Sequence, residues 1–237
     1  MNECTTRRES TMKSPGPRWK PQAILLASTV LMVTWWHFGS PQFYREHLAA
    51  SISESSAAPA LYYFMSCFLL LGVVPAIIVK LVFREPLSRY GVQLGDRVRT
   101  PRSLLVLAPL FVLGGYISSH NSAIAAYYPI NPLACDSLQT FGCHAIFYLL
   151  YYVGWEFHFR GFLQFGLRDA FGPASALLVQ VMASSLLHFG KPGIETYAAI
   201  LGGILWGYIA YRTRSLLSGL GQHYLLGLSV DVFLCRR

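Results

Sequence analysis

The stretch Gly154-Trp155-Glu156-Phe157-His158-Phe159-Arg160-Gly161 places two opposite charges in the middle of an apolar segment. The segment extends from about residue 141 to residue 167 and is otherwise almost free of charge. Glu156 and Arg160 are four residues apart, so a helix would put them on one face, with the acid nearer the N-terminus, which favours an ion pair. An ionisable residue inside an apolar span is costly unless it is paired or hydrated, and it therefore indicates a functional site.

The composition predicts a membrane protein with an all-α fold. Of the 237 residues, 54% are hydrophobic and only 13% are charged, about half the charged share of a soluble domain. We expect a flexible basic cytoplasmic tail at residues 1–20 and a single transmembrane domain at residues 21–237. The net charge of +8 comes mostly from short loops beside apolar spans, a pattern typical of membrane topology. No nucleic-acid partner is therefore predicted.

Apolar runs predict a polytopic bundle of about seven (six to eight) membrane-spanning helices. They lie at about residues 23–38, 59–83, 104–118, 141–167, 174–188, 194–211 and 216–234. With the N-terminus in the cytoplasm, almost every Lys and Arg falls on the cytoplasmic side or within a span, as the positive-inside rule requires. The basic residues left outside are Arg45, Lys191, Arg236 and Arg237. An eighth half-span would reverse the C-terminal end.

The later spans contribute histidines and further acids. His188 ends the fifth span, and His223, Gly227 and Asp231 form one stripe on the seventh at i, i+4 and i+8. A carboxylate and an imidazole that converge on a water act as a general base, and a second imidazole can stabilise an oxyanion. The acids at membrane depth that could supply the carboxylate are Glu156, Glu195 and Asp231.

Each of these residues also has a purely structural interpretation. Glu156 and Arg160 could form a buried structural pair. His188 could cap helix carbonyls, His223 could be a packing residue, and Glu195 could be an exposed first-turn acid favoured by the helix dipole. Asp231 is open between packing and function. Aromatic residues such as Tyr152 and Trp206 are interpreted as interfacial anchors or packing residues.

The cysteines fit no zinc or haem motif. They are Cys4, Cys67, Cys135, Cys143 and Cys235. Cys135 and Cys143 could form a disulfide if their loop faces an oxidising compartment, but unpaired thiols are the favoured interpretation, because sequence alone does not fix pairing.

Several motifs together resemble one family, the type II CAAX prenyl protease and bacteriocin-processing (CPBP, "Abi") intramembrane proteases. The resemblance covers roughly residues 90–232, the predicted protease-like core. It is carried by Tyr90-Gly91-Val92-Gln93-Leu94-Gly95, by the Glu156 stretch through Gly161, by His188-Phe189-Gly190-Lys191-Pro192 and by the His223 helix. Each motif is weak alone, but their order on separate spans is fairly specific.

The resemblance implies a role for each matching residue. In the family's first motif two glutamates precede an arginine by four and five positions, so Glu156 matches the second glutamate, Arg160 the arginine, and Trp155 stands where the first glutamate should be. The first glutamate and the histidine that matches His188 are thought to activate water. The last-span histidine, matched by His223, is thought to stabilise the oxyanion.

Three positions depart from the pattern. Besides Trp155, Ser184 stands at a phenylalanine position and Gly227 at an asparagine position. Glu156 could turn inward as the base, since neighbouring positions on a helix differ by only about 100°, or Glu195 could supply the carboxylate. Asp231 could take the asparagine's polar role.

These observations favour an intramembrane endopeptidase. Glu156, His188 and His223 would be catalytic, with Arg160, Asp231 and Glu195 in support. A divalent metal such as zinc stays open, and Glu156, His188 and His223 would be its ligands. The expected partners are a peptide or lipidated-protein substrate and membrane lipids; the oligomeric state is undetermined. Resemblance and compactness favour a multi-pass protein of a bacterial inner membrane.

Two other classes of function stay open. The protein could be a catalytically silent membrane scaffold that binds peptides or lipidated tails, as Trp155 and Gly227 suggest. It could also be a small transporter that uses Glu156 and Asp231 as a proton relay, although the hydropathy shows no inverted repeat of the kind many transporters have.

Overall fold

The computed structural model describes residues 17–49 and 56–237, and its regular secondary structure there is entirely helical. Most of the tail predicted at residues 1–20 lies outside the described residues. Nine helices are labelled here: α1 Lys20–Phe38, α2 Pro41–Leu48, α3 Ala58–Val82, α4 Arg99–Ser119, α5 Ser122–Tyr127, α6 residues 138–171, α7 Pro173–Leu186, α8 Gly193–Thr213 and α9 Leu217–Leu234. A short 3₁₀ turn, Leu87–Tyr90, precedes α4.

Three of these helices are long and apolar enough to cross a membrane: α3, α4 and α8. A fourth candidate span is formed by α1 and α2, which are bent by 49° at the break between them. The all-helical fold is therefore confirmed for the described residues, and the apolar helices fit an integral membrane protein. The number of seven spans stays a prediction.

One group of helix ends meets in a polar, arginine-rich layer, called here the basic end. Lys20 at the start of α1 donates to Glu85 at 2.6 Å, and Arg89 contacts both Glu85 at 2.7 Å and Asp169 near the end of α6 at 2.6 Å. Burial alone would raise the pKa of the Glu85 carboxyl, but hydrogen bonds from Lys20 and Tyr90 and the nearby positive charges hold that pKa below its ordinary value. The basic end thus ties α1, α6 and the loop before α4 together.

The opposite ends of the same helices meet in a second group, called here the disulfide end. The Tyr62 hydroxyl of α3 donates to the Phe38 carbonyl at the end of α1 at 2.7 Å. A disulfide joins Cys135, just before α6, to Cys235, just after α9. The expectation of unpaired thiols is therefore wrong for Cys135, and its partner is Cys235 rather than Cys143, which is exposed and free. The two sulfurs meet because α6 and α9 pack side by side with opposite directions.

The core of the bundle is an aromatic cluster between α1, α3 and α6. Trp155 is 1% exposed and packs against Trp35, Tyr151 and Phe159. Aromatic rings bury large areas and prefer offset-stacked or edge-on arrangements; the three pairs are edge-on with Trp35, stacked with Tyr151 and tilted with Phe159. This packing fixes the rotation of α6, so that Trp155 points into the core and the neighbouring Glu156 points toward α9.

The close approach of α3 and α6 depends on glycine at position 154. A Cβ there would lie 2.7 Å from the Cys67 carbonyl oxygen and 2.8 Å from the Phe68 Cα of α3. Both atoms belong to backbone and cannot rotate away. The small residue therefore lets the two backbones approach, as is common between membrane helices.

We expect Gly154→Val to destabilise the protein by about 1–3 kcal/mol, because overpacking forces the two helices apart. Gly142→Val is the matched control on the same helix, since a Cβ at position 142 meets nothing within 4 Å. Thermal unfolding in detergent should show a lower Tm for the first variant only. Equal Tm values for both variants would contradict the assigned contact.

Candidate active site

Glu156 and His223 connect α6 to α9 at the centre of the bundle. His223 Nδ1 lies 2.8 Å from Glu156 Oε1, and the Arg160 Nη1 lies 3.2 Å from the same oxygen. The carboxylate is 1% exposed and the guanidinium 2%. The prediction from spacing that Glu156 and Arg160 pair on one face of the helix is confirmed. His223 contacts the same carboxylate. The carboxylate accepts from Nδ1, which leaves Nε2 of His223 without a protein partner among the described residues.

Trp206 of α8 contacts both His223 and Arg160. Its ring stacks on His223 with centroids 4.0 Å apart, and the Arg160 guanidinium lies 5.6 Å from its ring centroid. Both contacts are of the cation–π and stacking type. Trp206 was interpreted from sequence as a membrane anchor or packing residue, so its position against the site was missed; nothing in the aromatic pattern distinguishes it from its neighbours.

Helix α6 changes from an α-helix to a wider π-helix directly after Glu156. From Phe157 to Phe165 α6 is a π-helix, and every residue of this segment is buried. Such wide turns occur frequently at functional sites, but π-helical segments also lie at Tyr44–Leu48 in α2 and at Phe68–Val73 and Ile78–Val82 in α3, so the winding alone does not identify the site. The sequence carried no signal for the change, because the apolar pattern of residues 141–167 fits any buried helix.

His188 and Glu195 form a second group, at the turn between α7 and α8. His188 Nδ1 lies 2.8 Å from the Ser184 carbonyl oxygen. Since a carbonyl only accepts, Nδ1 carries the proton and Nε2 of the neutral ring is an acceptor. Nε2 points at Glu195 Oε1, 3.8 Å away.

Two residues fix the Glu195 carboxylate in this position. Lys191 Nζ donates to Oε1 at 2.8 Å, and the Tyr128 hydroxyl lies 2.9 and 3.1 Å from the two carboxylate oxygens. Glu195 does lie in the first turn of α8, as expected, but its side chain is only 21% exposed. Tyr128 was not predicted as a site residue, because it comes from a distant loop.

Both groups border one cavity of about 150 Å³. Its wall includes Tyr128, Trp155, Arg160, His188, Glu195, Trp206 and His223. Several waters fit in such a volume. Glu156 is not part of the wall and contacts two residues that are, His223 and Arg160. The structure therefore brings His188, His223, Arg160 and Glu195 to one space and places Glu156 behind it.

Asp231 does not belong to this cavity. Its Oδ2 lies 2.8 Å from Nε2 of His144, and both side chains are completely buried. The polar space beside Gly227 is filled instead by the Tyr152 hydroxyl, which an added Cβ would overlap, and by the Tyr148 hydroxyl. Tyr152 donates to Tyr148 at 3.0 Å. Asp231 thus has a structural partner, and the hydroxyl pair stands where Asp231 was expected to act.

A metal does not fit the predicted ligand set as it is arranged here. Among the described residues, no group of three or more His, Cys, Asp or Glu side chains converges as metal ligands would. Nδ1 of His223 is engaged with Glu156, and His188 faces Glu195 instead. The zinc hypothesis, which came from the types of these three residues, stays a prediction, and no chemical step below depends on it.

Comparison with known proteins gives a match for the part of the chain that contributes most of this cavity. The family described as "Type II CAAX prenyl endopeptidase Rce1-like" matches residues 139–228. This segment includes α6, α7, α8 and most of α9, with Glu156, His188 and His223 among its residues. The match covers the segment that carries most of the motifs and confirms the resemblance seen in the sequence.

Searches of curated proteins and of solved structures found no match.

The buried pair of Asp231 and His144 gives a prediction about structure rather than catalysis. Asp231→Leu should destabilise the protein by about 3 kcal/mol or more, because it leaves a buried polar group without its partner, whereas Asp231→Leu with His144→Leu should recover most of that loss. Denaturant unfolding of the single and double variants measures both values. If the double variant is as unstable as the sum of the two single variants, the pair is not coupled.

Proposed function

We propose that the protein is an intramembrane endopeptidase in which His188 and Glu195 activate the attacking water. The observation that carries the proposal is the 3.8 Å gap between His188 Nε2 and Glu195 Oε1. The gap is too long for a direct hydrogen bond, and both atoms are acceptors. A water between them would donate one hydrogen to each, which exposes its oxygen lone pair to a carbonyl carbon and gives its proton a base.

Glu195 would thereby replace the carboxylate that Trp155 displaces. The family resemblance places a glutamate at position 155, beside the histidine that matches His188. In this chain the Trp155 ring packs edge-on against His188, with centroids 5.3 Å apart, and the carboxylate approaches the same imidazole from α8. Lys191 and Tyr128 favour the ionised form of Glu195, which a base requires.

His223 would act on the substrate carbonyl. Glu156 accepts the Nδ1 hydrogen and stabilises the protonated imidazole, so that Nε2–H can donate to the oxygen of the tetrahedral intermediate. When the C–N bond breaks, the proton taken from water by the His188–Glu195 pair passes to the leaving amine. Arg160 sets the orientation of Glu156 and lies in the cavity wall, where its charge also favours the oxyanion.

Glu195→Gln should lower kcat by about 10²–10⁴-fold, the usual contribution of a positioned general base, while KM changes little. The same loss is expected for His188→Asn. A set of fluorogenic apolar peptides, with and without a carboxyl-terminal farnesyl group, measures turnover of the purified protein in detergent. Each variant is compared with the wild type at equal folded concentration.

Glu46→Gln is the matched control. Glu46 lies in α2 at the disulfide end, and its side chain is 54% exposed. The Glu46→Gln variant should therefore turn over substrate as fast as the wild type. Full turnover by Glu195→Gln would remove Glu195 from the mechanism. If Glu156→Gln then lost turnover, Glu156 would be the base instead.

A silent peptide-binding scaffold is the second candidate, and Trp155 is the observation that favours it. Its ring takes up part of the cavity wall beside His188, where it could bind an apolar side chain without chemistry. A wild-type protein that binds the peptides at micromolar concentration but shows no turnover would support this candidate over the protease.

A further inference from the structure

The rim of the cavity lies near the disulfide end of the bundle. Ile194 and Ala198, on the first turns of α8, belong to the cavity wall and are exposed, Ile194 by 63%. Across the rim are Ser118, in the last turn of α4, and Ile124 of α5. These four residues, called here the mouth, are apolar or small. A peptide segment with apolar side chains could therefore enter between α8 and the α4–α5 turn.

Three buried amides lie between the cavity and the basic end. Gln164 donates to the Gly207 carbonyl at 2.8 Å, Gln180 to the Gly203 carbonyl at 2.9 Å, and Gln222 to the Ser103 carbonyl at 3.0 Å. All three glutamines are 0% exposed. They link α6, α7, α8, α9 and α4 between Arg160 and the basic end.

The distribution of basic residues assigns the basic end to the cytoplasm. Positive charge concentrates in the cytoplasmic loops of membrane proteins. The described basic residues near this end are Arg18, Lys20, Lys80, Arg84, Arg89, Arg97, Arg99, Arg102, Arg168, Arg212 and Arg214, and those near the disulfide end are Arg45, Lys191, Arg236 and Arg237.

The disulfide gives a second and independent indication of the same orientation. Disulfides form and persist in oxidising compartments and are rare in the cytosol. The bond between Cys135 and Cys235 joins the loop before α6 to the residue after α9, on the side of the mouth. Charge and redox chemistry thus agree that the mouth faces away from the cytoplasm.

We propose that the cavity takes its substrate from the extracytoplasmic side, and that its substrates are apolar peptide segments of exported or membrane proteins at that surface. The proposal rests on the proposed function of the same cavity. A tail presented in the cytoplasm would meet the arginine-rich basic end, whereas Ile194 and Ala198 of the cavity wall are exposed near the opposite end.

Cysteine labelling in intact cells tests the orientation without any need for activity. Ala198→Cys at the mouth and Leu94→Cys, 74% exposed in the loop at the basic end, are made in a chain with Cys4→Ser and Cys143→Ser. A membrane-impermeant maleimide added outside should label Cys at 198 and not at 94. After lysis it should label both. Labelling at 94 but not at 198 before lysis would overturn the proposal.

A third labelling position serves as a control in case lipid shields the mouth from the maleimide. Leu138→Cys, at the first residue of α6, lies at the disulfide end and is 88% exposed at its native leucine. If Cys at 198 is unreactive even after lysis, labelling at 138 from outside supports the proposal, and labelling at 138 only after lysis contradicts it.

Sealed membranes test the side from which substrate enters. An impermeant fluorogenic apolar peptide should be cleaved by right-side-out vesicles and spared by inside-out vesicles until detergent is added. Cleavage by inside-out vesicles alone would overturn the proposal. Absence of cleavage in both preparations and in detergent would instead count against the protease function, while the labelling experiment would still decide the orientation of the mouth.

Discussion

The structure depends on one buried carboxylate shared by a guanidinium and an imidazole. Glu156, Arg160 and His223 lie inside an apolar bundle, where an unpaired charge would cost several kcal/mol. Their contacts at 2.8 and 3.2 Å reduce that cost and fix α9 against α6. Trp206 encloses the set from α8. A change in the rotation of any of these helices would leave a charge unpaired, so the requirement selects one arrangement of the bundle.

This arrangement gives the two carboxylates of the site different roles. Glu156 contacts His223 and Arg160 through the same oxygen, Oε1, and lies behind these two residues of the cavity wall, while its Oε2 is buried without a hydrogen-bond partner among the described residues. Glu195 is held by Lys191 and Tyr128 at the cavity wall and faces the free nitrogen of His188. The tryptophan at position 155 is therefore compatible with the proposed water activation, in which Glu195 on α8 takes the place of the carboxylate that the tryptophan displaces.

The sequence was a good guide to what depends on local spacing and a poor guide to what depends on tertiary packing. The pairing of Glu156 with Arg160 followed from an i, i+4 interval, and the all-helical membrane fold followed from composition. The pairing of Asp231 with His144, the link between Cys135 and Cys235, and the contact of Tyr128 with Glu195 join residues 67 to 100 positions apart. No periodicity encodes such contacts. The proposal of Glu195 rather than Glu156 as the base likewise rests on their three-dimensional positions.

The most direct test of this account is the density between His188 and Glu195 in a high-resolution experimental map of the detergent-solubilised protein. The account predicts an ordered water within hydrogen-bonding distance of both His188 Nε2 and Glu195 Oε1, with Trp155 packed against the far side of the imidazole. A map in which Glu195 turns out of the cavity, and in which Glu156 or a side chain other than Glu195 occupies the position beside His188, would contradict it.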